Sequence, residues 1–196
     1  MSLLLFLAVD NNTRSRLVTQ ALVSDKTTES YKWILDCTKK ATKIELLVFI
    51  TDTDPAADAT VRQTYKNTYS VHCIFHISKN LPRNLKSKLH NQYESFVHDF
   101  FLCHNSLCKE SFYEWWLQLT EKYPNVKDYL MRALYHSQQA WVHVFTSKIF
   151  TTGIQTTSHV KDLNSIVKHL LTSSSSLCNL IDVLDASRWD TIESVF

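Results

Sequence analysis

The sequence predicts an α/β fold in which short strands come first and helices complete the chain. Apolar runs of strand length, 3–9 and 44–50, fall before residue 80. Helical periodicity fills nearly everything after Leu81. One glycine in 196 residues is too few for a fold built of tight turns. The order is strand, strand, helix, strand, helix, strand, then helices only, which is a sheet followed by an all-helical part.

The first strand is "LLLFLAV", residues 3–9, a continuous apolar run that predicts cover on both faces. After the turn "DNNTRS", "RLVTQALVS" alternates and should pair back as a hairpin. "DKTTESYKWILDCTKKAT" predicts a helix with Thr28 as N-cap and Tyr31, Ile34, Leu35 and Thr38 on one face. "IELLVFI", 44–50, predicts the third strand. Asp54 as N-cap and Pro55 at the first helical position open the next helix. "SVHCIFHI", 70–77, predicts a fourth strand running into a helix.

Beyond Leu81, "LPRNLKSKLHNQYESFVHDFFLCH", "SLCKESFYEWWLQLTEKYP" and "NVKDYLMRALYHSQQAWVHVF" each predict a helical stretch. "TTGIQTTS" is a loop holding Gly153, and Ser158 is the expected cap of the helix that follows. "SSSS", 173–176, is a short polar break. The last helix carries the stripe Leu177, Leu180, Ile181, Leu184 and Trp189.

Composition bounds the function classes. The chain is 44% hydrophobic and 20% charged, enough apolar residues for a core, and its formal net charge of +2 is no global pull toward nucleic acid. "MSLLLFLAVD" lacks a basic n-region and is too short to span a bilayer, so no membrane is expected. Five cysteines, an odd number at irregular spacing, point to free thiols in a reducing compartment, nuclear or cytoplasmic.

The local wording then resembles a known family. "LLLFLAVDNNTRSRLVTQALVSDKTTESYKWIL" resembles the hairpin and first helix of Mutator-like element (MULE) transposases and of the related far-red-impaired-response-type proteins. "FITDTDPAADATV" resembles their second acidic motif, "HCIFHISKN" their Cys-x-x-His motif, and "GIQTTSHVKDLNSIVKHLL" their late Thr-Thr-Ser…Asn helix. The resemblance keeps these in order over nearly the whole chain. It implies a partial ribonuclease-H-like core over 1–80, a helical insertion over 81–150, and the late core helix with a C-terminal helix over 151–196. It also implies a DDE chemistry, in which Asp, Asp and Glu hold two Mg²⁺ ions that clamp the attacking and leaving oxygens of a phosphodiester.

On this reading Asp52 is the ancestral second carboxylate and Mg²⁺ ligand. On the residues alone it equally shapes a strand-to-helix turn. The first carboxylate belongs to a strand before the hairpin, and the sequence given opens within the hairpin. The third position aligns with Lys161, a cation where a carboxylate is required. Asp162 lies about 100° further round the helix and points elsewhere. The implied product is a sheet lacking its first strand, catalytic inactivity, no cofactor, and Lys161 standing near Asp52 in place of the metal.

Other constellations compete. Cys73 and His76 have the spacing of half a zinc site, but Cys103, Cys108, His98 and His104 offer no recognised second half. Lys79, Arg83, Lys86 and Lys88 suit a DNA backbone or simply a solvated helix face. Trp115 and Trp116 suit base stacking or, more simply, packing. Glu114 is the alternative third carboxylate. Nothing orders a base around Cys73 or Cys178 as a nucleophile, and no small-molecule substrate is evident. Three functions follow: an inactive transposase fragment, a domesticated DNA-binding regulatory module, or a nuclease completed by an upstream segment.

Overall fold

The computed structural model describes residues 2–9, 14–151, 154, 156–170 and 175–189, without the side chains of 158, 159, 177 and 185–189. The turn at 10–13, Gly153, the first two residues of the polar break at 173–176 and the side chains of Leu177 and Trp189 therefore lie outside it.

In chain order the elements are β1 (Ser2–Val9), β2 (Ser15–Val23), α1 (Thr28–Thr42), β3 (Val48–Thr51), α2 (Pro55–Thr64), β4 (Tyr69–His72) and α3 (Ile74–Leu89). They continue with α4 (Tyr93–His104), α5 (Lys109–Lys122), α6 (Lys127–Ala133), α7 (Gln138–Trp141), α8 (His143–Thr146), α9 (Ser158–Leu170) and α10 (Leu177–Trp189). The fold is mixed α/β with small sheets. Among the described residues the strands form two ladders, β1 antiparallel to β2 and β3 parallel to β4. The chain divides into two compact units. One comprises 1–45, 55–66 and 152–196, and the other 46–54 and 67–151.

In the first unit the hairpin is the middle layer. Leu4 and Phe6 pack with Tyr31, Ile34 and Ala57 of α1 and α2. Leu5, with Leu3 and Leu7, packs with Leu163 and Val167 of α9 and Leu180 and Leu184 of α10. A strand with cores on both faces must be apolar at consecutive positions, which is why 3–9 reads as an unbroken run. The register jumps from Phe6↔Thr19 to Leu7↔Leu17, so Val18 is a bulge. That extra residue lets Leu17 and Leu22, of opposite parity, reach the same core.

The cap of α1 is Thr27, not Thr28. Its hydroxyl accepts the Ser30 N–H at 3.3 Å. Asp25 accepts the hydroxyls of both Thr27 and Ser30, each at 3.0 Å, and so holds Thr27 in the capping place. Helix α1 ends at Lys43, which takes a left-handed φ of 56° in a position where glycine is usual. Helices α1 and α2 are joined by the Tyr65 hydroxyl to the Leu35 carbonyl at 3.3 Å and by the Lys39 ammonium to the Thr64 carbonyl at 3.0 Å. In α10, Leu180 and Leu184 are buried, whereas Ile181 of the expected stripe is 49% exposed. Ser158 is the first residue of α9, so the cap position falls to Thr157, whose carbonyl accepts from Lys161 N–H at 3.3 Å.

In the second unit the expected strand 44–50 contracts to four residues. Residues 44–46 stand before the ladder, which starts with the Leu47 carbonyl accepting the Tyr69 N–H at 2.9 Å, and the Leu47 side chain is 80% exposed. The long helical stretches are also broken. Residues 81–104 split between α3 and α4 at a 3₁₀ turn, His90–Gln92, where His90 has φ 48°. Residues 125–145 become α6, α7 and α8 with 3₁₀ turns before α6 and before α7. Inside α3, Pro82 removes one backbone donor from the helical ladder. The core of this unit is aromatic. Trp141 stacks on Phe100 at 5.3 Å and on His104 at 6.1 Å, with Phe112 and Trp116 around it.

Candidate functional site

Strand β3 ends in buried Thr51, and Asp52 follows it, exposed. Thr53 then adopts φ 71°, a left-handed conformation that is costly for a β-branched residue, of the order of 1–3 kcal/mol. Its hydroxyl donates to the Asp52 carbonyl. Asp54 occupies the cap position before Pro55, as the Asp-Pro wording predicts. The tip of β3 is thus a strained turn that lifts Asp52 into solvent.

The parallel register sets what lies beside that tip. Val48 pairs with Tyr69 and Thr51 with His72, and the ladder runs one residue further, with Cys73 N–H donating to the Thr51 carbonyl at 2.8 Å. Cys73 is fully buried and is the N-cap residue of α3, although its side chain makes no capping hydrogen bond. Its carbonyl instead accepts the N–H groups of His76 and Ile77 at 3.0 and 3.1 Å. The acidic motif and the Cys-x-x-His motif therefore meet at one end of the β3–β4 ladder. Sequence reasoning found both motifs but missed Thr51 and Thr53, the residues that join and shape them. The signal was the β-branched residue on each side of Asp52.

The other expected residues of the second unit lie on, or at the start of, α4 and α5. Cys103 sits in the aromatic core, where burial pushes its thiol up to about 12. Cys108 caps α5 through its sulfur to Ser111 N–H at 3.4 Å. His98 lies beside Asp99, and His104 Nδ1 bonds to the Trp141 carbonyl. Trp116 stacks on Tyr135 at 5.7 Å in the core, and Trp115 packs against the same cluster. Glu114 is exposed and accepts from Gln118 at 3.5 Å. Lys161 is half-buried in α9 of the first unit, whereas Asp52 belongs to the second.

Among the described residues no three His, Cys, Asp or Glu side chains converge as a metal-ligating group. No described helix is long and apolar enough to cross a membrane.

Residues 1–80 match the MULE transposase domain. The chain is similar to Protein FAR1-RELATED SEQUENCE 4 of Arabidopsis thaliana, 26% identical over 92% of this chain and 25% of that protein. It is also similar to Protein FAR-RED IMPAIRED RESPONSE 1 of the same plant, 25% identical over 84% of this chain and 20% of the relative. A third relative, Protein FAR1-RELATED SEQUENCE 6, is 23% identical over 78% of this chain and 22% of its own length. The chain thus spans about a quarter or less of the curated relatives it matches. The motifs and the comparisons agree: residues 1–80 match a MULE transposase domain, and the chain is related to the far-red-impaired-response proteins.

Proposed function

We propose that the chain is a transposase-derived module with a ribonuclease-H-like core that keeps the arrangement around Asp52 and does not cleave DNA. The observation that carries this is the donor set at the tip of β3. Two Mg²⁺ ions need several hard oxygen ligands held together. The carboxylates at the tip are Asp52 and Asp54, the latter in the cap position of α2, and among the described residues no group of three His, Cys, Asp or Glu forms there. That set does not fit a two-metal centre, and no step through a metal is assigned to it. The Lys at position 161, where the resemblance calls for the third carboxylate, supports the same reading.

DNA is then a partner and not a substrate, with its candidate contacts among the exposed basic residues of α3. A second reading, a regulatory module of the far-red-impaired-response type, is favoured by the similarity that covers 92% of this chain.

The test is an end-labelled DNA duplex incubated with the purified chain in Mg²⁺ or Mn²⁺. No product bearing a new 3′-hydroxyl is expected. Cleavage that disappears in Asp52→Asn overturns the reading. The regulatory reading predicts in addition that the chain, tethered to a reporter promoter, changes its transcription.

A further inference from the structure

The buried stripe of α3 is Ile77, Leu81, Leu85 and Leu89, which packs into the aromatic core. Phe75, Lys79, Arg83 and Lys86 are all exposed on the same helix. At about 100° per residue these four fall within an arc of about 80°, and Lys79 to Lys86 spans about 10 Å along the axis. Lys88 is about 160° round from Lys86 and lies off this arc. The four basic residues of α3 thus divide into a row of three and one outlier.

Several basic residues elsewhere in the chain are ion-paired. Lys32 is paired with Asp36 at 2.9 Å, Arg62 with Asp58 at 3.1 Å, and Lys122 with Asp99 at 2.8 Å. None of Lys79, Arg83 and Lys86 has an ion-pair partner among the described residues. The sequence has no Asp or Glu between Asp58 and Glu94, so α3 carries no carboxylate at any position. Lys79 is held by the face of Phe75, its ammonium 4.6 Å from the ring centroid. Three unpaired cations in line on a rigid helix, anchored by its opposite face, match a row of phosphates.

We propose that α3 is the DNA-contacting helix of this chain, laying Lys79, Arg83 and Lys86 along the phosphate backbone of duplex DNA without reading sequence. Phe75 positions Lys79, and Lys88 takes no part. The inference rests on the non-cleaving reading above and names the surface through which that module holds DNA.

Three neutralised phosphates give a slope of about −2.7 in log affinity against log salt. The experiment is fluorescence anisotropy of a labelled random-sequence duplex with the full chain in EDTA, across a salt series. Affinity should fall about 40-fold between 50 and 200 mM salt. The triple change Lys79→Gln, Arg83→Gln, Lys86→Gln should abolish measurable binding, while Lys88→Gln leaves affinity and slope within twofold of the parent. All four positions are exposed, and an unchanged circular dichroism spectrum shows that the variants fold. Undiminished binding by the triple variant, equal loss in Lys88→Gln, or binding of polyglutamate but not of DNA overturns the proposal. Because the assay contains no divalent metal, cleavage in the Mg²⁺ assay would sink the non-cleaving reading and leave this result standing. Loss of DNA binding would sink this proposal without restoring cleavage.

Discussion

His104 Nδ1 lies 2.8 Å from the carbonyl oxygen of Trp141, at the C-terminus of α7, and its ring is stacked on the Trp141 indole. The bond requires a proton on Nδ1, leaving the other nitrogen bare in the neutral ring. Burial pushes the His104 pKa down. The Trp141 hydrogen bond opposes that push, and neighbouring His143 adds to it. With the folded value depressed, the unfolded state binds the proton more readily. The stability this supplies is complete above about pH 6.5 and falls as pH drops below it. The midpoint of thermal unfolding should therefore decline from pH 7 to pH 5. His104→Asn, which keeps a donor at the Nδ1 position, should flatten the decline, and an unaltered pH profile would refute the assignment.

Trp141 itself is the centre of the second unit, with its indole N–H donating to the Leu134 carbonyl at 3.0 Å. Trp141→Ala removes the stacking surface for Phe100 and His104 and should cost about 3–5 kcal/mol. Urea unfolding followed by far-ultraviolet dichroism measures it. A loss below about 1 kcal/mol would mean that the core closes without the indole.

Asp99 accepts from both Lys122 at 2.8 Å and the Tyr123 hydroxyl at 2.9 Å. Burial alone would raise its pKa, but these hydrogen bonds outweigh burial and hold it below the usual carboxylate value. Its contribution is present above the unfolded value near 3.8 and is lost as pH falls through the lower folded value. Asp99→Ala should cost about 1–3 kcal/mol because the Tyr123 hydroxyl loses its charged acceptor and keeps only Ser95 Oγ, at 3.1 Å. Lys122→Ala, on an exposed ammonium, should cost under about 1 kcal/mol. Equal losses from the two, in denaturant titrations, would contradict this ordering.

The five cysteines should separate by accessibility. Cys37, Cys108 and Cys178 are exposed, while Cys73 and Cys103 are buried. Ellman's reagent at pH 8 should titrate three thiols quickly and the remaining two only on unfolding. Cys73 and His76 are expected to hold no zinc, and metal analysis of protein purified without chelator should find well under one equivalent. Stoichiometric zinc lost in Cys73→Ser would reverse that expectation.

The parts of the fold legible in the sequence were those set by nearest neighbours. The run 3–9 announced a strand covered on both faces, and β1 has a core on each side. Pro55 marked the start of α2. The pattern failed where a distant partner decides. Ile44, Leu46 and Leu47 extend the apolar run before β3, yet the paired register with β4 begins only at Val48↔Tyr69. Thr27 and Thr28 are equivalent as local caps, and Asp25 makes the choice. Periodicity alone could not locate the 3₁₀ turns that cut 125–145, because Leu130, Leu134 and Trp141 are buried from separate short pieces. Asp52 and Cys73 stood out as motif residues, but their common end of the ladder depends on a parallel register that no local signal reports.

The division of the chain into units also has a consequence during synthesis. The first unit is assembled from three stretches, 1–45, 55–66 and 152–196, with the second threaded between them. A ribosome has therefore synthesised every residue of the second unit by position 151, before any residue of α9 or α10 of the first is made. Leu3, Leu5 and Leu7 stay bare on one face until Leu163, Val167, Leu180 and Leu184 emerge. The aromatic unit can thus mature on the nascent chain, and the hairpin, made first, is sealed last.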